Sequence, residues 1–389
     1  MREMRKIARK RAGLLAAALA VLGLALGLAA CGGDGGIEGG AGGGATETAK
    51  AGPVKGDLTI SNWPLYIDPG ENGTAADFEK ATGVDVTYIE DVNDNVEFFG
   101  KLRPQLASGS SGGRSIVVVT DWMANKMHEL GYLQDLPKSA LPNVQENLRP
   151  DLRSPAIDPN RDYSVPWQTG MTGVIVRKDL APDVRSVNDL FDPQYKGKVT
   201  FLTEMRDTVP LVMKADGVNP DEATTQDWLD AIDKLKAAVD SGQIRRFTGN
   251  DYARDLTKGD VVASIGWSGD AVQLQADNPN IEWRMPTQGC ILWSDNMVIP
   301  VGAPNTGAAL GFMDFVYEPQ VQADVAEYVN YVTPVDGVQQ ILAKRDPALA
   351  KNQLIFPSEE FTRNCSTQPL LSGEEETTVT EAFESVLTG

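Results

Sequence analysis

From Gly56 onward, apolar and polar positions follow two alternating periods. Asp57–Asn62 and Val84–Ile89 alternate residue by residue, the pattern of half-buried strands. Ser115–Thr120 carries an unbroken Ile-Val-Val-Val, as expected of a strand covered on both faces. Between these runs, helical spacing covers Gly73–Thr82, closed by Gly83, and Phe98–Leu106; Asp121–Leu130 follows, stopped by Gly131. After a Pro/Asn-rich connection from Pro137 to Asn160, a second block opens with strands expected at Gly173–Arg177 and Val261–Gly266. Its clearest helix spans Asp227–Val239, where Trp228, Ile232, Leu235 and Val239 share one face and Gly242 follows as a C-cap. Trp228 is therefore assigned to the core. A strand at Met297–Pro300 precedes helices at Thr306–Val316 and Pro319–Val329. Alternating strands and helices over most of the chain predict an α/β fold in two lobes, with ligands held beyond the carboxyl ends of strands.

The first residues follow another logic. Six basic residues (Arg2, Arg5, Lys6, Arg9, Lys10, Arg11) precede an apolar run from Ala12 to Ala30, the layout of an export signal. The run ends Leu28-Ala29-Ala30-Cys31, which resembles a bacterial lipobox, so Cys31 is expected to carry a lipid. Nine glycines lie between Gly32 and Gly44, and the bias continues to Gly56, a composition that predicts a flexible tether.

Composition narrows the chemistry. The 389 residues include 35 Lys+Arg against 54 Asp+Glu, a formal charge of −19. Loss of the basic leader would leave the body more acidic still. Such a surface does not suit a phosphate backbone, so no nucleic-acid partner is expected. The single histidine, His128, excludes His-rich zinc sites and is assigned to the surface of a polar helix. Asp91-Val-Asn-Asp-Asn-Val begins like a calcium loop, but lacks the glycine and glutamate that such a loop needs. No metal and no cofactor are expected. In an oxidising compartment, the remaining pair Cys290 and Cys365 is a candidate disulfide tying the tail to the segment around Trp293.

Rings and acids recur together after predicted strands: Trp63 and Tyr66, Trp122, Glu204 and Asp207, Trp267 and Asp270, Trp293 and Asp295, with Tyr331 at the end of a late helix. One tryptophan beside an aspartate is ordinary core packing. Repetition in an acidic chain points to a cation, because carboxylates pair with ammonium groups and aromatic faces attract them by about 0.5–2 kcal/mol each. Apolar walls also favour methylene segments, so the pattern suits a long, thin cation with amines at intervals.

These residues resemble the polyamine-binding lipoproteins of ABC importers, of the spermidine/putrescine type within the bacterial extracellular solute-binding proteins. The matching segments are Asn62-Trp-Pro-Leu-Tyr-Ile, Glu90-Asp-Val-Asn-Asp-Asn-Val-Glu-Phe-Phe, Val117-Val-Val-Thr-Asp-Trp-Met, Tyr163-Ser-Val-Pro-Trp, Gly266-Trp-Ser-Gly-Asp, Leu292-Trp-Ser-Asp-Asn-Met-Val-Ile-Pro and Asn330-Tyr-Val-Thr-Pro, in family order across residues 57–340. The resemblance implies a two-lobed, periplasmic-binding-protein-like (Venus flytrap) α/β fold with the ligand in the interlobe cleft. It implies a channel lined by Trp63, Tyr66, Trp122, Trp267, Trp293 and Tyr331. Asp295 would pair with an internal or terminal amine and Asp207 with an end amine, while Glu204 matches only across a gap. Asp270 matches the putrescine branch and Trp293 the spermidine branch, so the preferred polyamine stays open. Residues 341–389 match poorly and are assigned no ligand contact, although Gln368 is the nearest counterpart of a ligand-contacting glutamine in some relatives.

The implied organisation is a signal peptide at 1–30, a lipidated cysteine and tether at 31–56, lobe 1 at 57–166 and 295–350, lobe 2 at 167–294, and a tail at 351–389 of unassigned lobe. The hinge is expected near Ser164–Thr169 and Trp293–Asn296. The implied role is capture of a polyamine and delivery to permease subunits driven by a cytoplasmic ATPase. The receptor would be a monomer anchored at the outer face of the cytoplasmic membrane, with no enzymatic activity. The alternatives are a receptor for another organic cation, or a secreted glycosidase using Glu204 with Asp207 or Asp270 with Asp295.

Overall fold

The computed structural model describes residues 46–388; the leader, Cys31 and the first part of the glycine-rich stretch lie outside them. The first block folds as β1 (Asp57–Asn62), α1 (Thr74–Thr82), β2 (Asp85–Glu90), α2 (Asn95–Ala107), β3 (Ile116–Thr120) and α3 (Asp121–Glu129). A connection containing α4 (Pro142–Asn147) leads to β4 (Val165–Arg177). The second block holds β5 (Val199–Leu202), α5 (Met205–Ala215), α6 (Thr225–Asp240), β6 (Ile244–Thr248), α7 (Tyr252–Lys258), β7 (Ala263–Trp267), α8 (Ser268–Asp277) and β8 (Ile281–Arg284). Then β9 (Ile291–Val298) returns to the first block, followed by α9 (Thr306–Phe315), α10 (Pro319–Val329) and α11 (Val338–Arg345). The tail carries α12 (Glu359–Thr362), β10 (Ser366–Thr367) and α13 (Gly373–Thr388).

The strands run in the order β2-β1-β3-β9-β4-β7-β5-β6, with β10 beside β9 and β8 beside β4. Parallel pairing joins β1 to β2 and β3 in one lobe, and β5 to β6 and β7 in the other. Two antiparallel strands connect these parallel groups. β9 pairs with β3 through Asp295–Val298 and with β4 through Ile291–Met297, and β4 then pairs with β7 from Thr172 onward. The register of β4 shifts between Pro166 and Gln168. Beside that bulge, Asn296 of β9 donates to Asp121 (2.6 Å) and accepts from the Arg161 guanidinium (3.0 Å). The expected hinge segments thus lie almost wholly within β4 and β9, which pair with each other there.

Several boundaries move for identifiable reasons. α2 starts at Asn95 rather than Phe98, because the Asp94 side chain accepts from the Glu97 amide (2.9 Å) and caps it. α6 begins at Thr225 behind a capping box of Thr224 and Asp227. β4 extends from Val165 to Arg177, well beyond the expected Gly173–Arg177, and β9 begins six residues before the expected strand at Met297. Both are buried along nearly their whole length, so the polar and aromatic residues in them belong to neither simple period.

The tether is shorter than expected. Thr48 bridges to Asp135, Ala49 is buried, and the Lys50 and Lys55 carbonyls accept from Thr306 and Asn305 at the start of α9, so residues 47–55 lie on lobe 1. The tail joins lobe 2: β10 pairs with β9 at Ile291–Leu292, Phe383 of α13 stands 5.7 Å from Phe247 of β6, and Cys290 and Cys365 form a disulfide. His128 is not freely exposed; its ring stacks on Tyr163 at 3.9 Å.

Candidate ligand-binding cleft

Parallel strands from both lobes end at one place. Trp63 follows β1, Thr120 ends β3, Thr203 and Glu204 follow β5, and Trp267 ends β7 with Asp270 one turn into α8. Nine of the ten expected site residues line one cleft: Trp63, Tyr66, Glu204, Asp207, Trp267, Asp270, Trp293, Asp295 and Tyr331. Asn93, Asp94, Asn95, Thr120, Thr203, Asn250 and Gln368 complete most of it, and no lysine, arginine or histidine is among its described lining residues.

Local backbone features aim these side chains. Leu65 adopts a left-handed conformation (φ 57°), its amide held by the Glu90 carboxylate at 2.9 Å, which turns Tyr66 inward. Asn330 ends α10 in the same left-handed region, at φ 59°, and delivers Tyr331 to the cleft. Two glycines make room for rings. A Cβ on Gly170 would lie 2.3 Å from the Trp293 ring, and one on Gly269 would lie 2.3 Å from Tyr331.

The rings meet edge to face or tilted across the cleft. Trp63 and Trp267 have centroids 6.2 Å apart, Tyr66 and Tyr331 5.1 Å, and Trp293 and Tyr331 5.6 Å. The walls leave a narrow space between the two lobes.

Each carboxylate is oriented by neutral donors. The Tyr66 hydroxyl donates to Asp295 at 3.0 Å. The Trp267 indole N–H (2.8 Å) and the Gln368 amide (2.9 Å) donate to opposite oxygens of Asp207. Asp270 accepts from Tyr252 (2.7 Å), Asn250 (3.1 Å) and Tyr331 (2.6 Å). Asn95 of lobe 1 donates to Glu204 of lobe 2 at 3.0 Å, and the Thr203 hydroxyl donates to Asp94 at 2.8 Å, so the mouth is bridged as well.

Removing several acids from water without a cation has a clear consequence. Burial pushes Asp207 up to about 6 and Asp295 up to about 7, with the neutral donors pulling the other way. Glu204 rises to about 8, through burial first and then the neighbouring charges of Asp207 and Asp94. Asp270 is raised too, again by burial, while its hydroxyl and amide donors oppose the shift. A cluster of this kind stabilises positive charge that enters it, because an ammonium supplies the missing compensation.

Two expectations are corrected here. Trp122 does not line this cleft. It borders an adjoining hollow that shares Trp293 and Gln368 with the cleft and also includes Asp121, Arg161 and Trp228, and its ring is covered by the Arg206 guanidinium, centred 3.9 Å away. Trp122 is the second residue of α3, and the guanidinium that covers it comes from lobe 2. The tail does reach the cleft, through Gln368, whose amide N–H donates to the Leu292 carbonyl beside β10 (3.1 Å). No local pattern marks Gln368; strand pairing three residues after Cys365 puts it there. Asn93–Asn95 also line the cleft, and they carry no ring beside their single acid, Asp94, which caps α2. Trp228 is in the core as expected.

Comparison with known proteins agrees with this architecture. The profile of the family described as bacterial extracellular solute-binding protein matches residues 73–356. A spermidine/putrescine-binding periplasmic protein of Escherichia coli (strain K12) is 30% identical over 312 residues, covering 79% of this chain and 85% of the relative. A putrescine-binding periplasmic protein of Pseudomonas aeruginosa (strain UCBPP-PA14) is 27% identical over 353 residues, covering 85% and 92%. The solved structure of a spermidine/putrescine ABC transporter from Listeria monocytogenes superimposes with a TM-score of 0.75 at 28% identity, covering 85% of this chain and 98% of that one. The fold is the two-lobed α/β fold with its cleft between the lobes, and the chain belongs to the bacterial extracellular solute-binding protein family.

Proposed function

We propose that this protein is the substrate-binding component of an ABC importer and captures polyamines, spermidine or putrescine or both, for delivery to a membrane permease. The observation that carries this reading is the cleft itself, in which five rings alternate with buried carboxylates and no cationic side chain is present among the described lining residues. The names of the relatives from E. coli, P. aeruginosa and L. monocytogenes support the same ligand class.

The mechanism is capture without chemistry. Ammonium groups would take the places of weaker neutral donors on Asp207, Asp270 and Asp295, and the rings of Trp63, Trp267, Trp293 and Tyr331 would enclose the methylenes. A charged hydrogen bond is roughly twice as strong as a neutral one, and this exchange drives closure around the hinge strands. The Cys31 motif and the glycine-rich stretch support a lipid anchor at the outer face of the cytoplasmic membrane, with the body acting as a monomer. Mass analysis of the N-terminal peptide tests that part: a diacylated Cys31 is expected, and an unmodified cysteine excludes the anchor.

Calorimetric titration with putrescine, spermidine and spermine, with neutral sugars and acidic amino acids as controls, tests the ligand. One-to-one binding of a polyamine that weakens with salt is expected. Absence of heat with all three, from folded and ligand-free protein, overturns the polyamine assignment.

A further inference from the structure

Arg206 belongs to a segment whose neighbours, Glu204 and Asp207, both line the cleft. It is 4% exposed, and its Nε has no partner among the described residues. Residues 204 and 207 are nearly one helical turn apart at the start of α5, whereas position 206 points to another side. There its guanidinium lies on Trp122, the second residue of α3 in the opposite lobe. One oxygen of Glu376, on α13 of lobe 2, receives both Arg206 (3.4 Å) and Lys126 of α3 (2.9 Å). A guanidinium lying over a ring and a carboxylate shared by two cations therefore span the two lobes beside the cleft.

We propose that Trp122, Arg206, Glu376 and Lys126 form an interlobe clasp that sets ligand affinity by holding the lobes closed, with no contact to the ligand. The clasp and the cleft share one rigid element. When the start of α5 swings in, Glu204 and Asp207 reach the cleft in the same movement that lays Arg206 on Trp122. Opening costs both sets of contacts together. The clasp is indifferent to the length of the ligand, because none of its atoms lies between the amines. Its effect on affinity rests on the polyamine reading above; its effect on closure does not.

The test uses the purified full-length chain with labels at Lys101→Cys on α2 and Lys236→Cys on α6, exposed positions on opposite lobes. Interlobe distance is read by fluorescence transfer with and without ligand, beside titration with putrescine and spermidine. Trp122→Leu and Arg206→Met should each raise the open population and weaken both polyamines by the same factor, about threefold to thirtyfold. The double variant should be little worse than either single one, since each removes the same contact. Arg206→Lys, which keeps the charge but not the planar stack, should fall between wild type and Arg206→Met. Should Arg206→Met fail to fold, Arg206→Lys and Glu376→Gln carry the comparison through the same two readouts. Unchanged interlobe distances in both states overturn the clasp. A changed ratio of putrescine to spermidine affinity at unchanged distance also overturns it, and returns Trp122 to the ligand channel. Failure of the wild type to bind any polyamine rejects the ligand assignment, while the distances without ligand still decide the clasp.

Discussion

Trp267 and Trp122 both stand near a junction where a strand of a parallel group hands over to a helix, one in each lobe. Trp267 ends β7 with its indole N–H on Asp207 and its ring against Trp63, inside the cleft. Trp122 lies in the first turn of α3 with Arg206 on its face and Glu376 and Lys126 nearby, beside the cleft. The same residue type near a strand-to-helix junction thus meets two different surroundings, and the sign of the charge beside it distinguishes them. A carboxylate beside the ring leaves room for a cation from solution. A guanidinium on the ring has already filled that role from within the protein.

The largest effect is expected on the cleft side. Trp293→Ala combined with Asp295→Ala should weaken polyamine binding by about a thousandfold or more, since a buried charge loses its partner and a cation loses its ring. Circular dichroism should show a folded protein, and retained affinity would exclude both residues from the site. Next in size is Asp207→Asn, expected to cost roughly thirtyfold to a hundredfold in calorimetric titration. If Asp207→Asn weakens binding less than Trp122→Leu, the two tryptophans have been assigned the wrong way round.

The pH dependence sharpens the comparison from the electrostatic side. Asp207, Asp295 and Glu204 have folded-state pKa values raised to about 6, 7 and 8, against about 4 for an unfolded carboxylate. Between pH 4 and 8 the ligand-free folded state therefore binds more protons than the unfolded one, and its stability falls as pH rises. Capture of a cation needs these groups ionised, so affinity should rise over the upper part of the same window, by about tenfold from pH 6 to 8 for the single ionisation of a group at about 7 such as Asp295. Thermal melts of free protein and titrations at matched pH should move in opposite directions; parallel movement would mean that other groups dominate.

The smallest expected effect on affinity comes from the disulfide. Replacing Cys290 and Cys365 by serine opens a link across 75 residues. It should lower stability by about 2–5 kcal/mol in a melt, yet reduce affinity only a few-fold, through looser placement of Gln368 against Asp207. Equal affinity in a Gln368→Ala background with and without the disulfide would show that the two act through one contact.

Much of this molecule was legible along the chain. The alternating periods located the strands and helices of the first block to within a few residues, because half-buried strands and amphipathic helices write their exposure into the sequence. The recurrent rings and acids named nine residues of the cleft, since parallel strands bring their carboxyl ends to one side. β4 and β9 were harder to read. Buried on both faces and crossing between lobes, they carry glycines, glutamine and asparagine where a period of two would demand otherwise.

Which residues meet was decided by the tertiary structure alone. Gln368 reaches Asp207 across 161 positions, and Asn95 reaches Glu204 across 109. No local pattern encodes contacts at such separation, because they depend on how two lobes and a tail pack. Sequence by itself determined what this protein could offer a ligand, namely rings, carboxylates and an acidic body. Three-dimensional packing determined where each was used: it enclosed nine of those residues around the cleft and turned Trp122 away. The physical reason is that aromatic faces and charges act within a few ångströms, and only the closed fold sets those distances.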